Sequence, residues 1–128
     1  MRILLLYASA GGGHKRAAQA MEAYFREHLP GAEVRVEDAL RHVGRAVNAL
    51  CCDGYKFSAK HAPQIFGTLY RSTNRDTKFA ALLPRVNGML ARKLLPLIEE
   101  FRPDVILDTY HFAGQMVSRL KEKGLVSA

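Results

Sequence analysis

A glycine-rich segment near the start of the chain, Ser9 to His14, has the composition of a ligand-binding loop. Glycines allow the backbone to approach a ligand closely, and the start of a following helix favours negative charge. The residues expected to face a phosphate or a polar acceptor group are Ser9, Gly11, Gly12 and Gly13. The segment lacks the Gly-Lys-Ser/Thr ending of a Walker loop, and Arg16 stands where a dinucleotide fingerprint needs a small residue. A tight strand-to-helix turn without a ligand would explain the same glycines.

His14 is the residue of this segment that could transfer a proton. It lies at the predicted start of a helix, where the positive end of the helix dipole favours the neutral imidazole. A neutral imidazole accepts protons at about pH 7, so His14 is a candidate general base. The alternative is a first-turn histidine that only caps the loop.

A second group of polar residues follows the last predicted strand and contains Asp108, Thr109 and His111. In an open parallel sheet, ligands bind beyond the carboxyl ends of the strands. These residues, and the turn after Asp38, should therefore face the same crevice as the glycine-rich segment. Asp108 is equally well explained as an N-cap-like residue at the start of the last helix.

Alternating strands and helices must position these candidate residues. Apolar runs predict strands, and apolar stripes at helical spacing predict helices. The strands are expected at Arg2 to Ala8, Glu33 to Asp38 and Asp104 to Asp108. The helices are expected at His14 to Leu29, Ala39 to Leu50, Pro84 to Phe101 with a kink at Pro96, and Phe112 to Lys123. Such alternation predicts an α/β fold with a parallel sheet and helices on both faces.

The middle of the chain carries the excess of positive charge. Residues 54–98 hold eight basic side chains and one acid, within a formal net charge of +7, and are rich in aromatic and aliphatic residues. This composition is typical of a surface that meets an anionic membrane. The candidates for that surface are Lys56, Lys60, Arg71, Arg75, Lys78 and Arg85. Basic residues on the solvated faces of core-packing helices would give the same composition, and nucleic acid is not expected because no binding motif is present.

Length and composition limit how the chain is organised. Its 128 residues and 48% hydrophobic content fit one compact domain, residues 1–128. No apolar segment approaches the roughly 20 residues that cross a bilayer, and the first residues lack a secretory cleavage pattern. The adjacent Cys51 and Cys52 fit a reducing compartment and cannot form a zinc site alone. We therefore expect a cytoplasmic protein without a metal site.

The stretch from Leu6 to Ala18 resembles the beginning of monogalactosyldiacylglycerol synthases and of the related bacterial processive diacylglycerol glucosyltransferases. Its small residues, three glycines, histidine and basic-alanine helix start occur together in that family. Later segments are similar as well, namely Gly54-Tyr55, Ile65 to Tyr70 and Arg102 to Ile106. The resemblance extends over essentially all 128 residues.

The resemblance implies a Rossmann-like N-terminal domain of an inverting GT-B glycosyltransferase, in which this half holds the lipid acceptor. A C-terminal domain, absent from this chain, would hold UDP-glucose or UDP-galactose, and no cofactor is assigned to this half itself. His14 would be the base that deprotonates a diacylglycerol hydroxyl, and the basic middle would dock on the inner face of the cell membrane. The isolated chain would be an inactive part of a hexosyltransferase, able to pair with itself through its interdomain face.

Two features depart from the family pattern. After the last strand the family usually reads Thr-His-Pro-Phe, whereas this chain reads Thr109-Tyr110-His111-Phe112, which leaves the role of His111 open. The chain also stops at Ala128, before any sugar-nucleotide domain, either as a fragment or as a stand-alone half. A non-catalytic membrane- or nucleotide-binding module is the alternative function, and a polyprenyl-linked acceptor is the alternative to diacylglycerol.

Overall fold

The structure, a computed structural model, describes residues 1–9, 12–44 and 88–128. Its strands are β1 (Arg2–Tyr7), β2 (Glu33–Asp38) and β3 (Val105–Asp108). Its numbered α-helices are α1 (Gly12–His28), α2 (Ala39–Val43), α3 (Leu95–Phe101) and α4 (His111–Glu122). Residues 88–91 are also α-helical, and a short 3-10 helix, Arg92–Leu94, lies between them and α3. These elements follow one another in the order that the sequence predicted.

The three strands form one parallel sheet in the order β2, β1, β3. β1 is the central strand, and its four inner residues are apolar and buried. The carboxyl ends of the three strands lie at one edge, since Tyr7 is opposite Asp38 and Leu6 is opposite Asp108. The expected parallel sheet is therefore confirmed.

Helices cover both faces of this sheet, because successive side chains of a strand point to opposite faces. Ile3 and Leu5 belong to one apolar cluster, which α1 covers. Leu4 and Leu6 belong to the opposite cluster, which α2, α3 and α4 cover. The helical side chains in these clusters include Met21 and Phe25 on the first face, and Leu40, Leu97 and Met116 on the second. The predicted Rossmann-like α/β class is confirmed.

The helices on either side of β2 differ from their predicted bounds. α1 starts at Gly12 rather than at His14, so two glycines open its first turn and His14 is its third residue. α2 ends at Val43, because Gly44 has a φ of 119°, which an α-helix does not allow. The rest of that predicted helix, residues 45–50, lies outside the described residues.

The kink predicted at Pro96 is present as a local change of helix type. Residues 88–91 are α-helical, the 3-10 helix follows, and α3 then begins with Pro96 in its first turn. Proline has no N–H for the carbonyl four residues earlier, and its ring collides with that carbonyl. A regular helix can therefore restart at Pro96 but cannot continue through it.

The remaining elements, β1, β3 and α4, follow the prediction to within one residue. β1 and β3 are each one residue shorter than expected, and α4 occupies His111–Glu122 instead of Phe112 to Lys123. Gly124, with a φ of 66°, follows α4 as the expected stop. Across residues 1–9, 12–44 and 88–128, no helix has both the length and the apolar character needed to span a membrane.

Candidate active site at the carboxyl edge of the sheet

Three connections meet at the carboxyl edge of the sheet and carry most of the described candidate residues. Ser9 follows β1, Asp38 ends β2, and Thr109 follows β3. α1 begins at the same edge, which places His14 beside the connection after β3. The sheet therefore brings His14 and Thr109, which are 95 positions apart in the sequence, into contact.

His14 is held by the backbone of that connection. Its Nδ1 forms a short hydrogen bond with the carbonyl oxygen of Thr109. A carbonyl oxygen only accepts hydrogen bonds, so Nδ1 must donate and must carry the ring proton. In the neutral imidazole Nε2 is then the acceptor nitrogen. The ring, which is partly exposed, can accept a proton at Nε2.

Thr109 makes two further hydrogen bonds in the same place. Its hydroxyl donates to the backbone carbonyl of His14 at 3.0 Å, and its backbone N–H donates to the carbonyl of Leu6 at 3.0 Å. The next residue, Tyr110, packs edge-on against the imidazole, with ring centroids 5.0 Å apart and an interplanar angle of 64°. The connection after β3 thus contacts both the side chain and the backbone of His14.

Asp38 lies where β2 meets α2, and it is buried, with 3% of its surface exposed. One carboxylate oxygen accepts a short hydrogen bond from the hydroxyl of Ser9, and the other accepts from the backbone N–H of Leu40 at 3.1 Å. The second bond caps the start of α2. Asp38 therefore joins the end of β1 to the start of α2.

The sequence indicated the turn after Asp38 but did not single out Asp38 itself. A signal was available, because an aspartate at the boundary between a strand and a helix is a strong N-cap candidate. Tyr7 pairs with Asp38 in the sheet register. Burial raises the pKa of the Tyr7 phenol, and the negative charge of Asp38 adds to this effect. Tyr7 is therefore protonated at neutral pH.

Gly12 and Gly13 lie exposed in the first turn of α1. Neither has a positive φ, in contrast to Gly31, Gly44 and Gly124. Among the residues that the structure describes, no atom lies within 4 Å of a Cβ built on either glycine. Neither backbone conformation nor packing in the described structure requires glycine at these two positions.

Asp108 is exposed at the end of β3, with its carboxylate against the first turns of α4. A Cβ on Gly114 would lie 2.7 Å from its Oδ2 and 3.0 Å from its Cγ, so a larger residue at this position would require the Asp108 side chain to move. The alternative of an N-cap-like Asp108 is wrong, since Tyr110 occupies the N-cap position of α4. The connection between β3 and α4 is two residues longer than that alternative required.

His111 is the first residue of α4 and is exposed. Its Nε2 lies 2.9 Å from the side-chain amide nitrogen of Gln115, one turn further along the same helix. The structure thus places His14 and Thr109 in contact, whereas the hydrogen bond of His111 stays within its own helix.

Several candidates lie outside the described residues. They are Gly11 and the six basic residues proposed for a membrane surface, Lys56, Lys60, Arg71, Arg75, Lys78 and Arg85. Within the described ranges, no group of three or more histidine, cysteine or acidic side chains is placed to hold a metal ion. A cavity of about 650 Å³ lies at the opposite edge, between α3 and residues 125–128, and it contains none of the candidate residues.

Comparison with known proteins identifies the family of this chain. The profile of the family described as monogalactosyldiacylglycerol (MGDG) synthase matches residues 14–128. Relatives include "Probable monogalactosyldiacylglycerol synthase 3, chloroplastic" of Oryza sativa subsp. japonica, 28% identical over 84% of this chain and 21% of its own length. "Monogalactosyldiacylglycerol synthase, chloroplastic" of Spinacia oleracea is 27% identical over 98% of this chain and 24% of its own length. No solved structure matches the chain.

The chain spans about a quarter or less of the length of these curated relatives. Their names overturn one expectation, because the relatives from rice, spinach, soybean, tobacco and Arabidopsis thaliana are all called chloroplastic. The prediction of a cytoplasmic protein on the inner face of the cell membrane was therefore wrong. That prediction relied on the lack of a spanning segment and of a secretory cleavage pattern, and on the adjacent cysteines, and none of these features tests for a chloroplast protein.

Proposed function

This chain belongs to the monogalactosyldiacylglycerol synthase family, and we propose that it is the acceptor-binding part of a glycosyltransferase that transfers galactose from a UDP-sugar to diacylglycerol. The names of the relatives specify galactose and diacylglycerol. In this proposal residues 1–128 form the N-terminal domain of a GT-B enzyme, and a C-terminal domain binds UDP-galactose. The lipid that accepts the sugar lies at the carboxyl edge of the described sheet.

The observation that carries this proposal is the hydrogen bond between Nδ1 of His14 and the carbonyl of Thr109. With its proton on Nδ1, the ring can take the proton of the acceptor hydroxyl at Nε2. The hydroxyl oxygen then forms a bond to the anomeric carbon of the sugar, and the bond from that carbon to the UDP oxygen breaks. UDP leaves with the electron pair, the configuration at the anomeric carbon inverts, and the proton stays on His14.

The glycines of α1 support the same location for the reaction. Gly12 and Gly13 leave the backbone at the start of a long helix uncovered by described side chains. A helix start presents free N–H groups and the positive end of the helix dipole. In this proposal the backbone of these glycines contacts the polar headgroup end of the acceptor or a phosphate of the donor.

Membrane association is a separate part of the proposal. Its support is the composition of residues 54–98, where eight basic side chains accompany many apolar residues and a single acid. In this proposal an anionic lipid surface is the partner of this region, and the protein is peripheral to the membrane. Sedimentation with anionic vesicles at low and high salt tests it, since salt should release a protein held by exposed charges. Equal binding to neutral vesicles would contradict an electrostatic contact.

The catalytic part is tested with His14→Ala in the full-length synthase that carries this chain. Loss of a general base should lower the rate of galactose transfer to diacylglycerol by roughly 100-fold or more. His28→Ala is the matched control, because His28 is exposed at the other end of α1. Its transfer rate should equal that of the wild type. A His14→Ala enzyme of normal rate would remove His14 from the mechanism and favour a non-catalytic binding module.

A further inference from the structure

The sheet determines the position of Thr109. Its backbone N–H donates to the carbonyl of Leu6 at 3.0 Å, which extends the pairing of β1 and β3 by one hydrogen bond beyond β3. Leu6 is a buried residue of the central strand. Thr109 is therefore placed by the most regular part of the described structure.

Two other polar groups of Thr109 are directed at His14. The hydroxyl donates to the backbone carbonyl of His14, and the Thr109 carbonyl accepts from Nδ1 of its ring. In an α-helix the His14 carbonyl also faces the N–H four residues later. A carbonyl oxygen has two lone pairs, so it can accept both hydrogen bonds. The hydroxyl thus connects the first turn of α1 to the sheet without replacing a helical bond.

We propose that Thr109 is a positioning residue for the proton acceptor, and this inference rests on the proposed function of His14. The hydroxyl fixes the His14 backbone at the distance from which Nδ1 reaches the Thr109 carbonyl. The carbonyl then holds the ring proton on Nδ1 and leaves Nε2 as the acceptor nitrogen. The edge of the Tyr110 ring, 5.0 Å from the imidazole between centroids, limits rotation of the imidazole on one side.

Two substitutions at Thr109 separate the hydroxyl from the shape of the side chain. Thr109→Val keeps the branched shape and removes the hydroxyl, whereas Thr109→Ser keeps the hydroxyl. Ser118→Ala removes a hydroxyl from an exposed position of α4 and serves as the control. In the full-length synthase, Thr109→Val should lower kcat/KM by about 10- to 100-fold, because a small displacement of a catalytic group has an effect of this size. Thr109→Ser and Ser118→Ala should retain the wild-type kcat/KM.

The tautomer of His14 provides a readout that does not depend on activity. Nitrogen-15 NMR of the ring in the 128-residue chain should find the proton on Nδ1 in the wild type and in Thr109→Ser. In Thr109→Val the proton should move partly to Nε2. Equal tautomers and equal kcat/KM in the two Thr109 variants would overturn the proposal. If Thr109→Val does not fold, the wild type still decides, because a ring proton on Nε2 would contradict the proposal.

This experiment distinguishes the inference from the function on which it rests. Normal transfer by His14→Ala would reject His14 as the base, whatever its tautomer. A slow His14→Ala enzyme together with an unchanged Thr109→Val enzyme would keep the base and reject the positioning role of Thr109.

Discussion

α1 and α4 both begin at the carboxyl edge of the sheet, and each has a histidine and at least one glycine in its first turns. In α1, His14 is bonded to Thr109 of another connection, and a Cβ on Gly13 would have no described neighbour within 4 Å. In α4, His111 pairs with Gln115 of its own helix, and Gly114 is covered by a carboxylate. The same residue types in the first turns of the two helices therefore occupy different environments.

This difference indicates which helix start is available to a ligand. A glycine without close neighbours leaves backbone N–H groups uncovered, whereas a glycine under a carboxylate is covered by that side chain. The Thr109 carbonyl leaves Nε2 of His14 as the acceptor nitrogen, whereas Nε2 of His111 already faces the amide nitrogen of Gln115. We infer that the start of α1 serves the reaction and that the start of α4 supports the structure.

The largest expected effect is the difference in transfer rate between substitutions of the two histidines. His111→Ala in the full-length synthase should leave the transfer of galactose within about twofold of the wild type, because surface changes have small effects. The His14→Ala enzyme in the same assay should be slower by roughly 100-fold or more. Similar losses in both variants would show that both helix starts take part in the reaction.

The second prediction concerns the packing of Gly114. Gly114→Ala places a methyl group against the Asp108 carboxylate and should destabilise the chain by about 1 kcal/mol, since the exposed carboxylate can move aside and alanine favours a helix. Urea unfolding of the 128-residue chain measures this change. Adding Asp108→Ser, which shortens the opposing side chain, should restore most of the loss, since contacting residues are not independent. Equal stability of Gly114→Ala and the wild type would contradict the close contact.

The third prediction concerns Gly13 in α1, the glycine that we compare with Gly114 in α4. Gly13→Ala adds a methyl group where no described atom lies within 4 Å, and alanine is a better helix former than glycine. The free energy of unfolding should stay equal or rise by up to about 1 kcal/mol. The KM for diacylglycerol or UDP-galactose should rise, because the added methyl group covers the backbone. A variant with unchanged KM would show that no ligand approaches this turn.

The sequence predicted most of the fold because its signals are local. The apolar run of β1, the stripe of α1 and the kink at Pro96 each depend on residues close together in the chain. Gly44 illustrates the limit, since the pattern continued beyond it and only its φ of 119° ended α2. A glycine within a helical pattern permits a stop but does not require one.

The candidate site was predictable as a location and less so as a set of contacts. The rule for parallel sheets placed the connections of Ser9 and Thr109 at one edge, as observed. The partner of His14 is a backbone carbonyl, and backbone atoms are the same in every residue, so no pattern in the sequence could identify it. The burial of Asp38 depends on β1 and α2 packing around it, which is a property of the assembled sheet.

The smallest expected effect is at Glu37 in the outer strand β2. It tests whether the difference between the starts of α1 and α4 depends on that strand. Burial raises the pKa of Glu37, but hydrogen bonds from Arg35 at 2.9 Å and His42 at 3.2 Å outweigh it and hold that pKa below its usual value. A carboxylate whose pKa is lowered by folding stabilises the protein above its unfolded pKa of about 4.3. This contribution is lost as the pH falls through the lower, folded value.

Glu37→Gln should therefore be less stable than the wild type at neutral pH, by under about 1 kcal/mol for a partly exposed pair. Urea unfolding should show that the difference shrinks below about pH 4, where the wild-type carboxylate becomes protonated. The rates of the His14→Ala and His111→Ala enzymes should keep their ratio when Glu37→Gln is added, because Glu37 contacts neither histidine. A stability difference that does not shrink below about pH 4 would mean that the ion pairs with Arg35 and His42 do not lower the pKa of Glu37. A changed ratio would mean that the two helix starts depend on β2 as well as on their own contacts.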